Sequence, residues 1–147
     1  MNVIIPTEAQ EQTALFQWAA MMRGRIPELA LLHSVPNGGS RHPIEAVHLK
    51  QQGVKPGIPD IFLPCARGGF HGLYIELKRT KGWKISAAQV EVMDALEEQG
   101  YAVEICWGWE QARNVILGYL GGKTNECTRN HDDEGRQNAR KRLPGVD

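Results

Sequence analysis

The sequence is poor in the features that mark an exported or membrane protein. Only three cysteines occur in 147 residues, Cys65, Cys106 and Cys127, and none forms a CxxC pair. An odd, scattered set argues against a disulfide framework and a cysteine-rich zinc site, and it fits a reducing cytoplasm. No apolar run approaches the roughly 20 residues that a bilayer-crossing helix needs, so no membrane partner is expected. The opening residues, MNVIIPTEAQEQ, lack the basic segment and apolar core of a secretory signal. There are no internal repeats.

Net charge is also lacking: 17 Lys and Arg balance 17 Asp and Glu. That zero conceals a segregation. Residues 67–84 hold Arg67, Lys78, Arg79, Lys81 and Lys84 against the single acid Glu76, whereas residues 91–98 hold Glu91, Asp94, Glu97 and Glu98 without a base. One edge is basic and can serve a polyanion although the whole chain is neutral. The same pattern also suits two solvated faces of opposite sign.

What is present suffices for one domain. A hydrophobic content of 41% and a length of 147 residues suit a single core. Thr7 is placed to cap a helix from about Glu8 to Arg23, with Leu15, Phe16, Ala19 and Met22 inward. Pro27 breaks that pattern. LALLHSV (residues 29–35) reads as a strand and PNGGSRHP as a loop. Pro43 suits the first turn of a helix reaching about Gln52, which Gly53 stops. IPDIFLPC and GLYIELKR read as two strands joined by ARGGFHG. Ser86 to Gln99 is a helix with Val90, Met93 and Leu96 inward. YAVEICWG is a strand with Val103, Ile105 and Trp107 on one face. Trp109 to Leu120 is a last helix, with Ala112, Val115, Ile116 and Tyr119 inward. The order α-β-α-β-β-α-β-α predicts an α/β domain over residues 1–120, a central mixed sheet flanked by helices. Residues 121–147 are polar, with few apolar side chains, and are expected to form a disordered tail.

The chemistry concentrates where two strands hold residues that packing does not need. Glu76 and Lys78, two apart on a strand, share a face. Asp60 starts the neighbouring strand and can approach Glu76 across an antiparallel pair. Two carboxylates this close raise each other's pKa, and a hard divalent cation between them relieves the repulsion. Magnesium accepts two carboxylates and a backbone carbonyl, here that of Leu77, and keeps several waters. A lysine beside such a metal can orient water and stabilise charge on a phosphate. Each residue also has a plainer reading. Asp60 suits a turn. Glu76 and Lys78 suit an exposed face opposite Leu73, Ile75 and Leu77. Ser86 and Gln89 suit a capping box. Asn37, Gly38, Gly39, Arg41 and His42 suit a simple loop, although glycines also let a phosphate backbone approach and Arg41 and His42 can grip it. The tryptophans suit packing, with Trp83 set apart because it sits among lysines.

Pro59-Asp60 followed by Glu76-Leu77-Lys78 reads as PD…ExK, with 15 residues between the acids. This resembles the PD-(D/E)xK nucleases, the restriction-endonuclease-like fold. With PNGG, GVKPGIPD, GLYIELK, SxxQ and the GYxxE…A pattern, the chain resembles the VRR-NUC family over roughly residues 7–120. The resemblance implies a magnesium-dependent DNA endonuclease in which manganese can substitute. It implies structure-selective cleavage of branched or four-way junction DNA by a homodimer, in the cytoplasm of a bacterial host if the chain is virus-encoded. Catalytic roles fall to Asp60, Glu76, Lys78 and Gln89, together with an acid on the first helix. Glu8 and Glu11 both qualify for that acid. Glu8 is favoured because it shares a helix face with Gln12, although an acid at a helix N-terminus is also favourable for its own sake. Asp60, Glu76, Glu8 and the Leu77 carbonyl are then the expected metal ligands. Asn37, Gly38, Gly39, Arg41, His42, Lys55, Arg79, Lys81 and Lys84 are the expected DNA contacts.

Overall fold

Thr7 begins the ordered architecture through its side chain. In a computed structural model, which describes residues 3–36 and 42–121, its hydroxyl accepts from the Gln10 N–H and the Gln10 side chain accepts from the Thr7 N–H. This capping box satisfies two otherwise unpaired donors and starts helix α1, Glu8–Met22. The remaining elements are β1 (His33–Ser34), α2 (Pro43–Gln51), β2 (Ile61–Leu63), β3 (Leu73–Lys78), α3 (Ala87–Glu98), β4 (Ala102–Trp107) and α4 (Trp109–Tyr119). The order is the one expected from the sequence. The expected loop residues Asn37, Gly38, Gly39 and Arg41 lie outside the described residues, as does the expected tail beyond Gly121.

The four strands lie in chain order, β1-β2-β3-β4. The first two pairings are antiparallel and the last, across α3, is parallel. Leu73, Ile75 and Leu77 project from one face into the main core, against Leu15, Trp18 and Ala19 of α1 and Ala112 and Ile116 of α4. On the opposite face, Val103 and Ile105 of β4 pack against Val90 and Met93 of α3. Strand β3 is therefore covered on both sides, and Glu76 and Lys78 are buried with it, at 1% and 6% exposure. The reading of these two as an exposed alternating face is thereby excluded.

Two expectations need correcting. LALLHSV is not a strand throughout. Residues Pro27–Leu31 form a 3-10 turn, and only His33–Ser34 pair with β2. Pro27 presets φ for the turn, and Leu29 and Leu32, three apart, bury on the same side. On α1, Trp18 is buried while Phe16 and Met22 are only partly so.

Glu11 has a place that periodicity does not suggest. It is buried, and its Oε2 accepts from the Trp109 N–H at 2.8 Å. That donor belongs to the first turn of α4, which has no side-chain cap from its own N-cap residue, Gly108. Gly108 has φ +87, a backbone conformation that L side chains rarely adopt, so glycine lets the chain turn from β4 into α4 beside the Glu11 carboxylate. The carboxylate of one helix thus caps another and meets the positive end of its dipole. Glu11→Ala is expected to lower stability by about 1–2 kcal/mol, by losing the cap and leaving the Trp109 N–H unpaired. Glu11→Gln, which keeps an acceptor, should cost less. Urea denaturation of the three proteins checks this order.

Candidate active site

The site forms where the β2–β3 hairpin meets the N-terminus of α3. Register brings it together: Ile61 pairs with Ile75 in antiparallel sense, so Asp60 stands across from Glu76. Pro59 and Pro64 flank β2 and carry no N–H for the ladder, which keeps the strand to three residues. Asp60 is held by its own bond, since its Oδ2 accepts from the Leu77 N–H at 3.0 Å. Its role is therefore more than that of a turn residue.

Gly57 sets the other wall. Its φ is +87, and a Cβ there would lie 2.6 Å from the Ala88 carbonyl oxygen. Only glycine lets the GVKPG loop lie this close to the start of α3. Ser86 and Gln89 form the expected capping box at that start. The Gln89 side chain does two things at once. Its Oε1 accepts from the Ser86 N–H at 2.9 Å, and its Nε2 donates to Glu76 Oε1 at 2.7 Å. The cap and the active-site contact are one rotamer, so neither reading of Gln89 displaces the other.

Lys78 completes the cluster. Its Nζ lies 3.1 Å from Glu76 Oε1 and 4.0 Å from Glu8 Oε1. Glu8 is half-exposed at the mouth of the site, whereas Glu11, the other candidate on the helix, faces α4. Glu8, Asp60, Glu76, Lys78 and Gln89 line one cleft of about 560 Å³, with Leu49, Lys50 and Val54 opposite.

The electrostatics single out Glu76. Burial, and then the neighbouring Asp60 carboxylate, push its pKa up to about 7, against the partial relief that Lys78 gives. Its Oε1 takes both the Gln89 and Lys78 contacts, while its Oε2 is buried with no hydrogen-bond partner. A buried acceptor without a partner costs free energy, which a cation ligand would recover. Among the described residues, no group of three or more His, Cys, Asp or Glu side chains is gathered to hold a metal alone. The two carboxylates, Asp60 and Glu76, are the kind of oxygen donors that suit a hard cation which keeps most of its waters.

None of the expected DNA contacts that are described lines this cleft itself. Lys55, Lys81 and Lys84 are exposed, His42 is exposed at the start of α2, and Arg79 is half-buried with its Nε unpaired. The role of Glu11 was missed by sequence reasoning. The signal available was an acid three residues from Glu8, at a position near the buried stripe of α1.

The VRR-NUC domain family matches residues 3–109. A solved structure described as a VRR_NUC domain protein is 31% identical to this chain, aligns with a TM-score of 0.67, and covers 80% of this chain and 90% of its own. No curated protein matches. The mixed open sheet flanked by helices is consistent with the α/β restriction-endonuclease-like fold.

Glu76 makes stability depend on pH. Its carboxyl ionises near 4.5 when unfolded and near 7 when folded. Between these values the folded state binds more protons, so without metal, stability falls as pH rises. Glu76→Gln mimics the protonated form. At pH 8 without divalent cations it is expected to exceed wild type by on the order of 3 kcal/mol, an advantage that vanishes toward pH 4.5. Chemical denaturation at both pH values measures it, and an advantage equal at the two would remove the ionisation explanation.

Proposed function

The chain belongs to the VRR-NUC domain family, and from that premise we propose that it is a magnesium-dependent endonuclease hydrolysing DNA phosphodiester bonds. One observation carries the proposal: a buried carboxylate with an unpartnered oxygen lies between a second carboxylate and a buried lysine, in a cleft. A domain that only bound DNA would need its basic loops but not this costly group.

Asp60, Glu76 and the Leu77 carbonyl would hold the metal, with Glu8 from α1 at the mouth of the same cleft. When bound, magnesium supplies Lewis-acid polarisation of a phosphate oxygen and a more acidic water. The rest falls to the protein. The Leu77 N–H fixes the Asp60 carboxylate. Gln89 and Lys78 both engage Glu76 Oε1, which orients the carboxylate and leaves Oε2 uncommitted. The Lys78 ammonium donates protons and cannot ligate a metal while charged, so it orients the attacking water and neutralises charge growing on the phosphate. Lys55, Arg79, Lys81 and Lys84, with Arg41 and His42, hold the strand by its phosphates. Branched or four-way junction DNA is the substrate form in this reading. A homodimer follows from it, because a symmetric junction requires two cuts.

Asp60→Asn and Glu76→Gln are expected to abolish magnesium-dependent cleavage while remaining folded. Lys78→Ala should lower the single-turnover rate by about 100- to 1000-fold, as expected for loss of a group acting on the transition state. It should change magnesium affinity little. Calorimetry paired with single-turnover cleavage across single-stranded, duplex, flap and four-way junction DNA decides this. Wild-type rates in both acid variants would overturn the assignment.

A further inference from the structure

The basic loop that follows Lys78 carries an aromatic feature that phosphate gripping does not use. Lys78 is in register with Trp107 on the adjacent parallel strand, so the two side chains share one sheet face. The Trp83 ring rests against Trp107, with centroids 5.4 Å apart and planes inclined at 59°. Trp107 packs on the cluster under α3, and the β4 backbone fixes it. Trp83 belongs to neither core cluster, is partly exposed, and has Lys81 and Lys84 exposed on either side.

The surroundings indicate what would cover it. The patch combines a flat, partly exposed ring with the exposed cations Lys81 and Lys84, on the segment that follows Lys78. Single-stranded nucleic acid has the complementary set: base faces and phosphate charge. A protein partner of acidic character would meet the charge but has no need of the ring.

We propose that Trp83, backed by Trp107, is a stacking platform for an unpaired base next to the cleaved phosphate. The site then selects DNA in which a base is splayed from its partner, as at a flap or junction, because in an intact duplex both faces of the base are already stacked. This inference rests on the nuclease reading for the phosphate's position, although the platform can be tested without cleavage.

The test uses the full chain in EDTA, where magnesium-dependent cleavage cannot occur, with wild type, Trp83→Ala and Trp83→Phe. The probes are a mixed-sequence single-stranded oligonucleotide and the same sequence as a blunt duplex. Stacking of one base on an aromatic ring supports about a tenfold loss of single-strand affinity in Trp83→Ala. Duplex affinity should stay unchanged, and Trp83→Phe, which keeps a ring, should bind near the wild-type level. Intrinsic fluorescence should be quenched by the single strand in wild type, and that quenching should largely disappear in Trp83→Phe. Equal single-strand affinity of wild type and Trp83→Ala, an equal loss on duplex, or wild type that binds no single strand would each overturn the platform. A wild-type protein that passes these tests yet cuts no DNA with magnesium would overturn the nuclease reading alone.

Discussion

A carboxylate in the middle of a buried strand is the constraint on which the rest of this structure depends. Glu76 lies on β3, which is covered on both faces, with Asp60 across the hairpin and Lys78 two residues on. Hydrophobic packing gains nothing from charges there, and burial drives the Glu76 pKa upward. The neighbouring elements answer this cost one by one. Lys78 and Gln89 both take Oε1, the Leu77 amide takes Asp60, and Oε2 remains the unmet requirement. The strain is local, and the apolar side of the same strand, through Leu73, Ile75 and Leu77, anchors it in the main core.

Helix N-termini do much of the positioning. The box at Ser86 fixes the Gln89 rotamer and so reaches into the cleft. The box at Thr7 starts α1 at the turn that carries Glu8. The start of α4 lacks a cap of its own and takes Glu11 from α1 instead. The Gly108 N–H, at the same junction, donates to the Lys78 carbonyl at 2.9 Å. Helix α1 is thereby tied to the residue that Glu8 faces. Two acids one turn apart on one helix thus do different work: Glu8 looks into the cleft and Glu11 holds the frame.

Much of this was legible in the residues because the signals are local. Thr7 and Ser86 with their partners three residues on, Pro43 at a helix start, and Gly53 and Gly100 at helix ends all act within one turn of backbone. The element order followed from them. The LALLHSV segment was misread because a short apolar run satisfies a strand and a 3-10 turn equally. Pro27, two residues upstream of the run, decided between them. The pairing of Asp60 with Glu76 was also legible, because alternation and an antiparallel hairpin fix the register of both.

By itself the sequence determined where the helices start and stop and which acids and bases share a strand face, though not the extent of the short strands, because caps, turns and alternation are short-range chemistry. Tertiary structure alone decided that Glu76 and Lys78 are buried rather than exposed. Exposure depends on whether a second layer covers the face, and α3 is placed there by a crossover that no window of sequence encodes. It also decided between Glu8 and Glu11 for the cleft. The two are equivalent in type and nearly so in position, and only the packing of α1 on α4, across roughly a hundred residues of chain, turns one toward the acids and the other toward the Trp109 amide.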